Sequence, residues 1–135
     1  MDPVLWTNIM DDKTIIQYLI YHDCGKPYCM EIDDEGRRHF PCHAAISQQT
    51  WLSCGGDDAT GRLIAMDMDL HLMKPGQEEP FSKRIEACTL IIAALCEIHS
   101  NAKMFGGIDS TSFKIKWKHL NKFATRILNL INQKG

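Results

Sequence analysis

The stretch His22-Asp23-Cys24-Gly25-Lys26-Pro27 closes an apolar run in which Ile15, Ile16, Leu19 and Ile20 recur at helical spacing. Asp12 is placed to cap that helix, and Gly25 and Pro27 forbid its continuation past His22. An adjacent His and Asp thus stand at a helix C-terminus. A neutral imidazole nitrogen and a carboxylate oxygen both ligate first-row divalent metals, and the following Gly-Lys puts a turn and a cation where a phosphate can sit. The pair also has an ordinary explanation, because His suits the dipole at a helix end and Asp suits turns.

Outward from this stretch the chain reads as a succession of helices. Tyr28-Cys29-Met30-Glu31-Ile32 and Arg37-Arg38-His39-Phe40 flank Asp33-Asp34-Glu35-Gly36, which predicts a small β-hairpin or extended loop pair covering the site. Pro41 suits the first turn of a helix carrying His43, Ala44, Ala45, Ile46, Trp51 and Leu52. Gly55-Gly56 breaks it, and Asp57 or Asp58 caps the next, which ends in Met66-Asp67-Met68-Asp69-Leu70-His71. Lys74 to Ser82, with Pro75, Gly76 and Pro80, reads as a loop, and Ser82 as the cap of an apolar helix from Lys83 to about Ala102. After a loop at Gly106-Gly107, Lys114 to Asn132 form an amphipathic helix. Trp117, Leu120, Ala124, Ile127, Leu128 and Ile131 line one face of it, with Lys118, Lys122 and Arg126 on the other. The expected fold is all-α, a compact bundle of five to six helices with the hairpin or loop inserted after the His-Asp pair.

Length and composition bound the rest. At 135 residues, 44% hydrophobic and 24% charged, the chain suits a single domain and would be cramped as two. The apolar run Ala87 to Cys96 is too short to span a bilayer, and Met1-Asp2-Pro3-Val4 lacks the order of a secretory signal, so a cytoplasmic protein without membrane partners is expected. Cys88 and Cys96 read as small buried hydrophobes, and Cys24, Cys29, Cys42 and Cys54 lack paired short spacings, which argues against a disulfide framework. Cys24, Cys29, His39 and Cys42 are a weak alternative as a structural zinc set. Residues 103–135 carry seven basic residues and one acidic, a balance of +6, whereas residues 1–102 carry eight basic and sixteen acidic, a balance of −8. An acidic body suits a metal and a basic tail an anion, although complementary surfaces on one fold explain the same numbers. The loop Gly106 to Lys114 offers amides, hydroxyls and Lys114 to an anion, and is equally a loop with a helix cap.

His22-Asp23-Cys24-Gly25-Lys26-Pro27, an acidic hairpin turn and His39-Phe40-Pro41-Cys42-His43-Ala44, in that order, resemble the HD superfamily of metal-dependent phosphohydrolases. The likeness is greatest to HD domains attached to tRNA nucleotidyltransferases, and it spans residues 14–75. It implies an all-helical domain whose central helices converge His and Asp on one or two divalent metals, Mn, Co, Ni, Mg, Fe or Zn. His22 and Asp23 match the signature pair of metal ligands, and His43 matches the second histidine, for a second metal or the phosphate. Asp67, ahead of Asp69, falls where a further ligand is placed, and Lys26 matches a lysine near the substrate phosphate. Asp23 and Lys26 are thereby the candidate catalytic residues, with His39 as a further substrate contact, and Lys114 of the Gly106 to Lys114 loop is a candidate substrate contact on its own chemistry. The departure is upstream: no histidine precedes His22, and His99 is either its replacement in the coordination sphere or a helix-terminal histidine near the C-terminal dipole. The expected activity is hydrolysis of a phosphate ester in a nucleotide or nucleic acid. The alternatives are a degenerate, non-catalytic HD domain that binds a nucleotide, RNA or a protein, and a structural subunit of a larger assembly, a homo-oligomer being compatible with either.

Overall fold

In the computed structural model, which describes residues 2–134, aspartates start the first helices. Asp2 accepts from the Val4 N–H at 3.0 Å to cap α1 (Pro3–Thr7), and Asp11 accepts from the Thr14 N–H at 3.2 Å to cap α2 (Asp12–Tyr21). The cap of α2 is thus Asp11 and not Asp12, which becomes the first helical residue. Pro27 cannot continue α2 but is preorganised to begin a helix, and the chain forms the short α3 (Lys26–Cys29). Tyr28 and Cys29 are therefore helical, and the hairpin narrows to β1 (Glu31–Ile32) and β2 (Arg38–His39), antiparallel, pairing Glu31 with His39 and Ile32 with Arg38. Then follow α4 (His43–Ser53), α5 (Asp58–Ala65), α6 (Glu78–Ser82), α7 (Ala87–Ser100), a 3-10 turn (Ala102–Phe105) and α8 (Thr111–Lys134). The protein is all-α with one small two-stranded hairpin, and five of its helices have eight or more residues among the described ones. No helix of the described residues is long and apolar enough to cross a membrane.

Several boundaries differ from expectation for local reasons. Pro41 lies outside α4, whose N-cap is Cys42 in a left-handed conformation, φ 56°. The segment expected as a loop contains α6, where Glu78 and Glu79 favour the N-terminal turn and Pro80 loses no bond because amides of a first turn have no helical acceptor. Ser82 consequently ends a helix and caps none, and α7 begins only at Ala87. Similarly, α5 stops at Ala65, so Asp67 lies in the turn beyond it.

The chain divides into two compact units, residues 11–68 and residues 2–10 with 69–134. In the first, α5 packs on α2 and α4, and α3 on α4. Leu63, Ile64 and Thr60 are fully enclosed. The surprise is α2, which buries Thr14 and Tyr18 while the expected apolar face, Ile16, Leu19 and Ile20, stays 55%, 50% and 65% exposed. Tyr18 and Gln17 find polar partners on the inward side, and Thr14 is satisfied within the helix's own cap. Thr14 Oγ1 donates to Asp11 at 2.7 Å, Tyr18 donates to Asp67, and Gln17 Oε1 meets the buried Thr60 hydroxyl at 3.0 Å.

In the second unit, α8 packs on α6, α7 and α1. Leu90, Ile91, Ala94 and Ile98 of α7 are buried, as are Phe113, Leu120, Phe123, Ala124 and Ile127 of α8 and Leu5 of α1. Burial of a Leu, Ile or Phe side chain is worth about 1.5–3 kcal/mol. Thr89 is buried with its hydroxyl accepting the Met10 N–H at 2.9 Å, and Asn132 donates to Asp2 at 3.1 Å. Cys96 is exposed, contrary to expectation, because it falls on the face of α7 opposite Ile91, Ala94 and Ile98. Trp117 is 40% exposed at the edge of the apolar stripe and does not join the core.

Three carboxylates of residues 11–68 are held below the ordinary carboxylate range by the bonds they accept: Asp11 from the Thr14 hydroxyl and N–H, Asp33 from His39 and the Arg37 N–H, and Asp57 from the Thr60 N–H and hydroxyl. Each binds protons more weakly folded than unfolded, so its stabilisation is present above the unfolded value of about 4 and is lost as pH falls through the lower folded value. Urea midpoints followed by circular dichroism are expected to hold nearly level as pH approaches about 5 and to decline below about 4. Asp57→Asn, which keeps an acceptor for the cap without the titration, is expected to make that decline shallower.

Candidate metal centre

The site is built on a close approach of backbone to backbone. A Cβ at Gly25 would lie 2.4 Å from the Ser47 nitrogen and 2.6 Å from the Ile46 carbonyl carbon, so only glycine lets the turn after Asp23 rest on α4. Buried Ser47 fixes the contact: its hydroxyl accepts the Gly25 N–H at 2.9 Å, and its carbonyl accepts the Cys24 thiol at 3.3 Å. His43 lies four residues before Ser47, on the same face of α4, and is thereby brought to Asp23.

His43 Nε2 stands 3.9 Å from Asp23 Oδ1 and 3.9 Å from Asp67 Oδ2. One donor atom from each of Asp23, His43 and Asp67 lies within 4.8 Å of the others, an arrangement able to hold a metal ion. Asp67 is only 4% exposed, and the buried Tyr18 hydroxyl donates to its Oδ1 at 2.5 Å, leaving Oδ2 on the His43 side. His22 adds its Nε2 at 3.5 Å from Asp23 Oδ2, and Lys26 Nζ is 2.8 Å from that same oxygen and 5.3 Å from the centre of the Phe40 ring.

Both histidines are oriented alike. His22 Nδ1 is 3.0 Å from the Leu19 carbonyl and His43 Nδ1 is 3.3 Å from the Phe40 carbonyl. A carbonyl accepts only, so each neutral ring carries its proton on Nδ1, and its Nε2 lone pair faces Asp23. A ring whose Nδ1–H is anchored on a backbone carbonyl leaves Nε2 to ligate, which is the orientation metal-ligating histidines adopt, and here a cation between Nε2 and the carboxylates would satisfy both. Ligands about 2.0–2.2 Å from a first-row cation stand roughly 3.0–3.5 Å apart, so the 3.9 Å separations need small side-chain rotations only. The mixed nitrogen and oxygen donor set fits a divalent ion of that row.

Of the residues expected at the site, Asp23, His43 and Asp67 come together, with His22 and Lys26 on Asp23. His39 belongs to the hairpin, its Nε2 2.8 Å from Asp33 Oδ2. Asp69, His99 and Lys114 belong to the other unit. There Asp69 pairs with Arg84 at 2.7 Å, and Lys114 lies in the first turn of α8. His99 sets Nδ1 2.7 Å from the Leu95 carbonyl and its ring edge against Phe113. Among the described residues no cysteine joins a group of three metal donors, so a structural zinc set of Cys24, Cys29, His39 and Cys42 does not form. Burial pushes the Cys24 thiol up, which opposes a nucleophilic thiolate there. Tyr18 and Ser47 escaped sequence reasoning. Their only signal was spacing, four residues before His22 and four after His43.

Gly25→Ala is expected to cost about 1–3 kcal/mol in urea unfolding, since backbone atoms must yield to the new methyl group. Tyr18→Phe removes the donor to a buried carboxylate and is expected to cost about 1–3 kcal/mol in the same measurement. Compared with protein-family models, with curated proteins and with solved structures, this chain matches none of them.

Proposed function

We propose that this protein is an HD-type, divalent-metal-dependent phosphohydrolase acting on a phosphate ester of a nucleotide or nucleic acid. The observation that carries this reading is the convergence of His43 Nε2 on the carboxylates of Asp23 and Asp67, with Lys26 alongside. The ordered elements His22-Asp23, Gly25-Lys26-Pro27 and His43 support the same reading from the sequence. Asp23, His43 and Asp67 would hold the metal, with His22 facing Asp23 as a further ligand. Once bound, a divalent ion supplies Lewis-acid polarisation of the phosphate and activation of water.

The remaining work falls to protein groups. Lys26, released from Asp23, is within reach of an anion at the site and offsets the charge that develops on phosphoryl oxygens. Tyr18 holds Asp67 through Oδ1, and the Leu19 and Phe40 carbonyls hold the two imidazoles, so the donors are oriented before a ligand arrives. Ring packing of Phe40 against Lys26 keeps the ammonium close to the cluster.

The Lys26 to Asp23 ion pair at 2.8 Å favours a second reading, since it gives Asp23 a cation without any metal. That reading is a degenerate, non-catalytic HD domain that binds a nucleotide, RNA or a protein. Calorimetric titration with Mn²⁺, Co²⁺, Ni²⁺ and Mg²⁺, followed by turnover of bis-p-nitrophenyl phosphate and a nucleotide panel, separates the two. The enzyme reading expects saturable metal binding and turnover that falls more than about a hundredfold in Asp23→Asn, beyond the loss typical of outer-sphere partners. A folded protein with neither metal binding nor turnover under any of these ions defeats it.

A further inference from the structure

Helix α8 carries an asymmetry that the metal centre does not use. Over Thr111–Lys134 it has six basic residues and no acidic one, in a protein whose net charge is −2. Lys114, Lys118, Lys122 and Arg126 follow one another every four residues, a row that climbs about 6 Å per step and about 18 Å in all. Arg126 is tied to Glu78 at 3.0 Å. The three lysines are exposed and have no carboxylate within 4.0 Å among the described residues. Lys122 lies over the Phe123 ring at 5.5 Å, and Lys116 at the flank of the row lies over the Phe105 ring at 4.8 Å.

The residues between the cations sort the partners. Asn121 and Asn129 share the exposed face and present amides, neutral groups that bond phosphate, sugar and base edges, while the Thr125 hydroxyl between them donates to the Asn121 carbonyl at 2.8 Å. Ile115 and Trp117 are the large apolar side chains exposed beside the row, standing singly on opposite flanks of it. A helix lying in a lipid interface presents its apolar face outward, and here that face, Leu120, Phe123, Ala124 and Ile127, is buried in the unit's own core. A regular row of unneutralised cations with neutral hydrogen-bonding groups between them suits a regularly charged polymer.

We infer that the solvent face of α8 is a nucleic-acid-binding surface that engages the phosphodiester backbone through Lys114, Lys118 and Lys122. It stands independently of the metal site, and backbone contact of this kind selects polymer charge and not sequence.

The test is fluorescence anisotropy of the full chain with a labelled mixed-sequence oligonucleotide, single-stranded and duplex, over about 50 to 200 mM salt. Saturable binding that weakens with salt is expected. The triple variant Lys114→Gln, Lys118→Gln, Lys122→Gln is expected to bind about tenfold or more weakly at the lowest salt, with the logarithmic salt slope shallower by about 2 on the single strand. Lys13→Gln, Lys74→Gln, Lys83→Gln, which removes equal charge outside α8, is expected to leave affinity within about twofold, and the α8 Lys→Arg triple to retain it. Absence of binding to either oligonucleotide overturns the inference. So does an equal loss in the two Gln triples, or binding to phosphatidylserine vesicles with none to the oligonucleotides.

Discussion

The space where Gly25 has no side chain governs the arrangement of residues 11–68 around their site. Any larger residue there would meet the backbone of Ile46 and Ser47, so the turn and α4 could not come together. That contact fixes how far along α4 the turn sits, and hence which side chain faces Asp23. The hydrogen bonds from Gly25 and Cys24 to Ser47 set the same register from both sides of the turn. One residue's slip along α4 would rotate His43 by about 100° away from the carboxylates.

Asp23 is then the point where the charges meet. His22, Lys26 and His43 all approach it, each from a different element or turn, and Asp67 adds a second carboxylate from beyond α5. Burying a carboxylate such as Asp67 is costly unless its oxygens are bonded, and Tyr18 supplies a short bond at Oδ1. Lys26 and Asp23, both partly exposed, keep the cluster open to solvent on one side, while Asp67 and Tyr18 anchor it in the core. A group so placed can accept an ion from outside without the core having to open.

Much of this was legible in the sequence, for reasons that differ by element. The apolar run of α7 and the stripe of α8 were readable because their burial follows helical periodicity, and the hairpin was readable because Asp33 to Gly36 is turn chemistry of its own. Helix α2 misled because periodicity ranks residues by hydropathy, whereas the inward face was chosen by hydroxyl partners supplied from α5 and the turn beyond it. At the site, His22, Asp23, Lys26, His43 and Asp67 could be named from their order along the chain. Tyr18 and Ser47 could not, because their roles exist only through partners 49 and 22 residues away. Trp117 shows the limit of a helical wheel, which places a residue on a stripe but not how far the neighbouring helix reaches across it.

The division of the chain has a consequence for how it folds. Residues 11–68 form a contiguous unit whose packed helices all lie within 58 residues of chain, whereas the other unit joins residues 2–10 to residues 69–134. Its closing bonds span great chain lengths: Met10 to Thr89, and Asn132 to Asp2, 130 residues apart. Loop-closure entropy is met before such contacts stabilise anything, so the contiguous unit has the shorter route to its native contacts and the discontinuous one must wait for residues 69–134 to return to residues 2–10. Leu5, seated in that second core, makes the opening residues structural partners of α7 and α8, so a lesion at the N-terminal end is felt in the helices furthest from it in sequence.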